Sequence, residues 1–298
     1  MEDRSLVYLS TGLFKDNHLD SIIENCRKHS FNQIELSSGV KPSKNYRKII
    51  DPLKDTCNML VHNYFPPPET PFVLNLASTD RETLNLSIAH CKRAIELCRD
   101  LNAPFYSVHA GFSVNLTPDL LGNPEKQVKL DQSHLISRET AYEVFLDSIG
   151  LLNKYAKENS IGLLVENNVV TPRHVAGGRG EMLLMVRAGE LIKLMRDVSS
   201  ENLKVLLDVG HLNVSSTALG YSREEFFLEV KDYIGAYHLS ENNGLEDQNL
   251  PVTENSWFWS HMPQPIEVPV VLEAYRLSQE SISRQKVLVE DLVRQRTV

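Results

Sequence analysis

The stretch VLLDVGHLNVSS, residues 205–216, begins as an apolar run typical of a buried strand and then turns polar. Asp208, Gly210 and His211 follow the run within a few positions. Asp and Gly often terminate strands, so one interpretation is an ordinary turn that Gly210 permits. Carboxylate and imidazole groups are also ligands of divalent cations, so the other interpretation is a metal site. The residues at the ends of the other predicted strands distinguish the two interpretations.

A short apolar run followed by a longer amphipathic segment recurs along the whole chain. The runs are LVYLSTG (6–12), FNQIELSSG (31–39), NMLVHNY (58–64), PFYSVHAG (104–111), GLLVENN (162–168), KVLLDVGHL (204–212), YIGAYHLSENNG (233–244) and VPVVLEAY (268–275). Helical patterns follow some of them, over residues 80–100, 139–159 and 278–294. Eight strands alternating with helices predict an α/β fold, a single (β/α)₈ barrel domain over residues 1–298. An open doubly wound sheet is the alternative, but no G-x-G-x-x-G follows the first strand.

Composition and charge restrict the class of protein. The net charge of -8 argues against non-specific binding to nucleic acid or to an anionic membrane. No apolar run approaches the roughly 20 residues of a membrane span, and MEDRSLVYLS at the start lacks the pattern of a signal peptide. The four cysteines have neither metal-type nor redox-type spacing. We therefore expect a cytoplasmic protein with buried or half-buried free thiols.

Ionisable side chains occur at the ends of most of the predicted strands. They are Glu35, His62, His109, Glu166, Asp208 with His211, His238 and Glu273. In a (β/α)₈ barrel the carboxyl ends of the strands converge on one face, where active sites are built. Several carboxylates on one rim require positive charge nearby, and a divalent cation supplies it. The sequence therefore predicts a metal site at residues 208–211.

In their order and spacing these residues resemble the xylose-isomerase-like TIM barrels, which include sugar-phosphate isomerases and epimerases and zinc-dependent apurinic endonucleases. The motifs that carry the resemblance are LVHNYFPPPETPFVLNLAS (60–78), YSVHAGF (106–112), LLVENN (163–168), LLDVGHLN (206–213), AYHLSENNG (236–244) and VVLEAY (270–275). The resemblance implies a main metal held by Glu166, Asp208, His238 and Glu273. It also implies that His62 and His109, with the shared Glu166, hold an additional metal in the endonuclease branch. His211 corresponds to a substrate-binding histidine in the epimerases or to a third-metal ligand in the endonucleases.

The chain departs from both branches of this superfamily. The endonuclease branch has an Asp-x-His pair after strand seven, whereas this chain has Asp247 followed by Asn249 in place of the histidine. Asn is a poor zinc ligand, so a complete trinuclear phosphodiesterase site is not expected. The epimerases often carry an arginine shortly after the strand-seven histidine, and none lies between His238 and Arg276.

Two connections offer side chains for binding substrate. After strand five, Arg173 and Arg179 lie in a Gly-rich segment that opens a helix, where arginines and backbone amides hold phosphate or carboxylate groups. The alternative is a loop with solvated arginines. After strand seven, Trp257 and Trp259 belong to the densest aromatic cluster, which roofs the site or stacks on a sugar, or else packs against the barrel wall.

The function implied is a divalent-metal-dependent isomerase or epimerase acting on a small-molecule sugar, sugar phosphate or sugar derivative. In this scheme the ion polarises a carbonyl, Glu166 and Glu273 exchange a proton through an enediolate, and His211 stabilises the oxyanion. The mixed ligand set does not separate Mn²⁺, Zn²⁺, Mg²⁺ and Co²⁺. The alternatives are a metal-dependent phosphodiester hydrolase, a related sugar dehydratase, and a barrel that only binds a ligand.

Overall fold

Eight parallel strands close into a barrel in the computed structural model, which describes residues 6–120, 134–178 and 180–295. The strands are β1 (Val7–Ser10), β2 (Gln33–Leu36), β3 (Asn58–His62), β4 (Phe105–His109), β5 (Gly162–Glu166), β6 (Leu203–Asp208), β7 (Ile234–Leu239) and β8 (Val270–Leu272). Each strand pairs with its neighbours in sequence, and β1 also pairs with β8. The closed barrel confirms the predicted (β/α)₈ TIM-barrel fold and excludes the open doubly wound sheet.

Helices connect successive strands on the outside of the barrel. In the described residues they are α1 (Leu19–Lys28), α2 (Tyr46–Ile50), α3 (Arg81–Asp100), α4 (Arg138–Glu158), α5 (Pro172–Ala176), α6 (Ala188–Val198), α7 (Val209–Leu219), α8 (Arg223–Val230) and α9 (Gln279–Gln295). The three helices predicted from the sequence are confirmed as α3, α4 and α9, to within a residue or two. Asp80 caps α3 as expected, since its side chain accepts a hydrogen bond from the Thr83 amide.

All eight strands are shorter than the apolar runs from which they were predicted. The clearest case is β6, which ends at Asp208 rather than continuing to residue 212. The side chain of Asp208 accepts a hydrogen bond from the His211 amide at 2.7 Å and thereby caps α7. The strand thus passes directly into a helix, and His211 lies in the first turn of that helix.

The barrel encloses an apolar layer and is covered by a second apolar layer beneath the helices. The inner layer consists of Tyr8, Leu60, Phe105, Leu164, Leu206, Ala236 and Val271. All four cysteines are free and buried, as expected, and lie in the first third of the chain: Cys26, Cys57, Cys91 and Cys98. Among the described helices, none combines the length and apolarity needed to cross a bilayer.

Candidate metal centre

Strand alternation brings the ionisable side chains together above the inner apolar layer. Side chains two residues apart on a strand share a face, so each residue two positions beyond an inner-layer residue also points into the barrel. The residues at these positions are Ser10, His62, Ser107, Glu166, Asp208, His238 and Glu273. The strand ends thus form a polar layer at the carboxyl face, directly above the apolar one.

The centre of this layer is a cluster of four side chains, Glu166, Asp208, His238 and Glu273. Each offers one ligand atom, and the four atoms all lie within 4.8 Å of one another. His238 Nδ1 is 2.8 Å from Glu273 Oε2, 3.6 Å from Glu166 Oε1 and 3.9 Å from Asp208 Oδ2. This is the set that the sequence predicts as ligands of the main metal, and the structure brings all four together.

Several inward-facing atoms of the cluster have no hydrogen-bond partner among the described residues. They are both carboxylate oxygens of Glu166, Asp208 Oδ2 and His238 Nδ1, and all are buried. An unpaired polar atom in a protein interior is costly unless an ion or ligand satisfies it. Three carboxylates and one imidazole are a suitable donor set for a divalent cation. The residues therefore fit a divalent metal.

His62 and His109 extend the cluster on the side of Glu166. His62 Nε2 lies 3.3 Å and His109 Nε2 3.2 Å from Glu166 Oε2. His62 is held by Ser107, whose Oγ lies 3.0 Å from His62 Nδ1, and it is buried, whereas the His109 side chain is 34% exposed. The structure thus brings together the two histidines and the glutamate that the sequence suggests for an additional metal.

His211 contacts the cluster from the first turn of α7. Its Nδ1 lies 2.9 Å from the carbonyl oxygen of Asn167, and its Nε2 lies 3.4 Å from Asp247 Oδ2. Both ring nitrogens thus face oxygen atoms, an arrangement that suits a hydrogen-bond donor. The expectation that Gly210 permits a turn is wrong, because Gly210 lies inside α7 without a positive φ. A side chain there would instead collide with Ser240 Oγ.

The pKa values in the cluster are shifted because several buried carboxylates lie close together with few cationic partners. Burial raises the pKa of Asp208 to about 8. Burial would also raise the pKa of Glu273, but the charge of His238, whose Nδ1 lies 2.8 Å from Glu273 Oε2, outweighs it and lowers that pKa to about 2. Burial lowers the pKa of His62 to about 3, which keeps its imidazole neutral and able to bind a metal. A cation among these groups would stabilise the charged form of Asp208.

Two further residues contact the cluster, and neither was assigned a role from the sequence. Glu35 on β2 is 1% exposed and lies 2.9 Å from His238 Nε2 through its Oε2. Its position at the end of a predicted strand was the feature of the sequence that could have indicated a role at the site. The Tyr275 hydroxyl donates a hydrogen bond to Glu273 Oε1 at 3.3 Å, while 48% of Tyr275 is exposed. Gly12 permits this placement, because a Cβ there would be 2.8 Å from the Tyr275 ring.

A family model described as a xylose isomerase-like TIM barrel matches residues 23–264, which is most of the chain. The chain belongs to this family. Among curated proteins, it is 23% identical over 255 residues to an uncharacterized protein of Methanocaldococcus jannaschii, covering 83% of this chain and 74% of that protein.

Solved structures similar to this chain share its barrel at low sequence identity. A D-tagatose 3-epimerase-like protein is 18% identical with a TM-score of 0.71, covering 98% of this chain and 99% of its own. The IOLI protein, solved with a binding zinc atom, is 16% identical with a TM-score of 0.67, covering 97% and 98%. At these identities the likeness establishes the fold.

Of the two arginines predicted to bind substrate, the structure describes only Arg173. Arg173 is 82% exposed and its nearest ion pair, at 3.5 Å, is with Glu246. A capping box at the start of α5 engages the amides of Thr171 and His174, and Pro172 between them has no N–H to offer an anion. Arg179 lies outside the described residues.

The two tryptophans contact the connection after β7 and helix α8. Trp259 is 2% exposed, and its Nε1 donates a hydrogen bond to the Thr253 carbonyl oxygen at 2.8 Å. Trp257 is partly buried, with the Arg223 guanidinium 4.3 Å from its ring centroid. Packing against the barrel wall, the alternative weighed for this aromatic group, therefore describes Trp259 better than a roof over the site.

Proposed function

We propose that this protein is a divalent-metal-dependent isomerase or epimerase that acts on a sugar or sugar derivative by proton transfer. The main support is the buried cluster of Glu166, Asp208, His238 and Glu273 with its unpaired inward atoms. Buried carboxylates are weak contributors to stability, and apolar residues of similar volume would serve a purely structural role better. The epimerase-like and zinc-containing family members support the same chemistry.

The four cluster residues would hold the cation. When bound, it supplies Lewis-acid polarisation of a substrate carbonyl and its neighbouring hydroxyl. Glu166 comes from β5 and Glu273 from β8, so the two carboxylates approach the centre of the barrel from different sides. We assign them the acid–base steps: one accepts the proton from the carbon beside the carbonyl, and the other returns a proton to the neighbouring carbon or the opposite face.

The surroundings of the two carboxylates support this assignment. Neither oxygen of Glu166 has a hydrogen-bond partner among the described residues, so both have free lone pairs for a proton or a cation. Glu273 Oε1 is held by the Tyr275 hydroxyl, and Oε2 faces His238. Burial lowers the pKa of His211, but the charges of Asp208 and Asp247 outweigh it and raise that pKa well above 6.5. The resulting imidazolium, with Nδ1 at the Asn167 carbonyl oxygen, can donate from Nε2 to an oxyanion.

A second candidate function is a metal-dependent phosphodiester hydrolase. The observation in its favour is the group His62, His109 and Glu166, which can hold a second cation beside the first. The missing third site counts against it, because Asn249 stands where a histidine ligand is expected and Asp247 already faces His211. We therefore rank the hydrolase below the isomerase or epimerase.

The proposal is tested by solvent deuterium exchange. The protein, loaded in turn with Mn²⁺, Zn²⁺, Mg²⁺ or Co²⁺, is incubated in D₂O with a panel of ketoses, aldoses and their phosphates. We expect deuterium at the carbon beside the carbonyl, read by mass spectrometry. Product identification then separates isomerisation, epimerisation and loss of water. Glu273→Gln should bind the sugar but turn it over at least about 100-fold more slowly, because an amide cannot accept the proton.

The matched control is Glu280→Gln, on the exposed face of α9, which should exchange like the unmodified protein. Turnover without deuterium incorporation would indicate hydride transfer between carbons and would contradict the two-glutamate mechanism. Wild-type exchange rates in Glu273→Gln would contradict the role given to Glu273. Exchange with none of the sugars under any metal would count against the sugar isomerase itself.

A further inference from the structure

Glu35 is a buried carboxylate whose position is not explained by a contribution to the stability of the fold. It points into the barrel from β2, between Ser10 on β1 and Leu60 on β3 in the strand register. Among the described residues its one ion pair is with His238, and its Oε1 has no hydrogen-bond partner. Burying a carboxylate against a single imidazole is costly, and a branched apolar residue is the usual occupant of a barrel interior. The position of Glu35 therefore calls for a functional reason.

The two ring nitrogens of His238 face different groups. Nδ1 faces the cluster, with Glu273 Oε2 at 2.8 Å, and no described residue forms a hydrogen bond with it. Nε2 faces away from those oxygens and lies 2.9 Å from Glu35 Oε2. A neutral imidazole carries one proton, so a lone pair on Nδ1 requires the proton on Nε2. Glu35 supplies the acceptor for that proton.

We propose that Glu35 is a positioning residue that fixes the tautomer and ring orientation of His238, so that the Nδ1 lone pair faces the cluster. A carboxylate that accepts a hydrogen bond from a ligating histidine also raises the basicity of the ligating nitrogen. The inference rests on the proposed function in one respect, namely that the cluster binds a divalent cation. It adds a residue from β2 to a site otherwise built from strands β3 to β8.

The test is direct measurement of metal binding by titration calorimetry, with Zn²⁺ and Mn²⁺ as the ligands and no substrate. Glu35→Leu removes the acceptor at similar volume, and Glu35→Gln retains an oxygen without the charge. We expect Glu35→Leu to weaken affinity by about 10–100-fold, the range typical of such outer partners, with Glu35→Gln between it and the wild type. The stoichiometry should not change. The control is Glu280→Gln.

A second readout reports on the proton itself. In the Zn²⁺-loaded protein labelled with ¹⁵N-histidine, NMR should show the Nε2-protonated form of His238, and Glu35→Leu should broaden or shift this signal. Wild-type metal affinity in folded Glu35→Leu would overturn the inference while leaving the proposed function intact. If Glu35→Leu does not fold, wild-type affinity and an unchanged His238 signal in Glu35→Gln would overturn it. No metal binding by the wild type would instead contradict the proposed function.

Discussion

Asp208 uses its two carboxylate oxygens for separate tasks. Oδ1 caps α7 by accepting the hydrogen bond from the His211 amide, and Oδ2 is buried beside the other cluster residues without a hydrogen-bond partner in the described part of the chain. The cap fixes the first turn of the helix, and so the position of His211, relative to the end of β6. One residue therefore links the local structure to the arrangement of the cluster.

This division predicts the effect of Asp208→Asn. Asn caps helices about as well as Asp, so the variant should keep nearly wild-type stability. It should lose metal, because an amide is a poor substitute for an anionic ligand, and affinity should fall by at least about 10-fold. Elemental analysis after dialysis, with a urea denaturation curve, measures both. Asp80→Asn alters the corresponding cap of α3, away from the cluster, and is the control. Full metal occupancy in Asp208→Asn would remove Asp208 from the ligand set.

His90 gives the protein a sensitivity to acid that is separate from the cluster. It is buried on α3, with Nε2 3.3 Å from the Asn63 carbonyl oxygen and its ring stacked near Tyr64. Burial, and secondarily the charge of Arg93, lower its pKa from 6.5 to about 4. The unfolded chain therefore binds this proton more readily than the folded one. Stability from this source is present at neutral pH and is lost as the pH falls below about 6.5.

We expect the free energy of unfolding to fall by about 2 kcal/mol more in the wild type than in His90→Gln between pH 7 and pH 5. Gln removes the titrating group and keeps a donor for the Asn63 carbonyl oxygen. Urea denaturation at the two pH values measures the difference. The exposed His29→Gln variant is the control and should follow the wild type. Parallel losses in His90→Gln and the wild type would show that His90 already accepts the proton when folded.

At the scale of the element, the connection from β6 to α7 depends on a glycine for close packing. A Cβ on Gly210 would collide with Ser240 Oγ and crowd Asp208. Gly210→Ala should therefore destabilise the protein by about 1–3 kcal/mol in urea denaturation. Adding Ser240→Ala should recover most of this loss, since it removes the atom that collides. An additive double variant would argue against the steric explanation.

Gly150→Ala provides the matched control for this experiment. Gly150 lies in the middle of α4, and a Cβ there would contact nothing within 4 Å. The same substitution should stabilise the protein by about 0.5–1 kcal/mol, because alanine loses less backbone entropy in a helix. The sign of the change in the free energy of unfolding thus distinguishes a glycine required for close packing from one that alanine can replace.

The elements also show how far sequence reasoning extends. The strands were predictable because apolar runs of strand length alternated with helical patterns. The convergence of ionisable side chains was predictable because they stood at strand ends, whereas the choice of Glu166, Asp208, His238 and Glu273 among them came from the resemblance to the family. The end of β6 was not predictable, because Val209 continues the apolar pattern although Asp208 already caps the next helix. The role of Trp259 could not be predicted, because an aromatic cluster in a loop has the same pattern whether it faces a substrate or the core. Glu35 was visible at a strand end, but its contact with His238 arises only when the barrel closes.

At the scale of the whole molecule, the acidic surface opposes the hydrolase alternative. With a net charge of -8, the chain should be repelled by a polyanionic duplex at low salt. We expect no metal-dependent nicking of duplex DNA that carries an abasic site, assayed by gel at physiological salt. Asp208→Asn purified in parallel identifies cleavage by a contaminant. Efficient nicking by the wild type, absent in Asp208→Asn, would reverse the ranking of the two functions.

The reactivity of the buried cysteines can report the unfolding of the half of the barrel that contains them. Burial raises the pKa of the Cys26 and Cys91 thiols to about 12, so the reactive thiolate is scarce while the barrel is closed. All four thiols lie among β1 to β4 and their helices, and the chain after β4 has none. A pulse of alkylating reagent therefore marks only molecules whose first half has come apart. Mass spectrometry of the marked peptides would reveal whether that half unfolds as one cooperative unit or frays helix by helix.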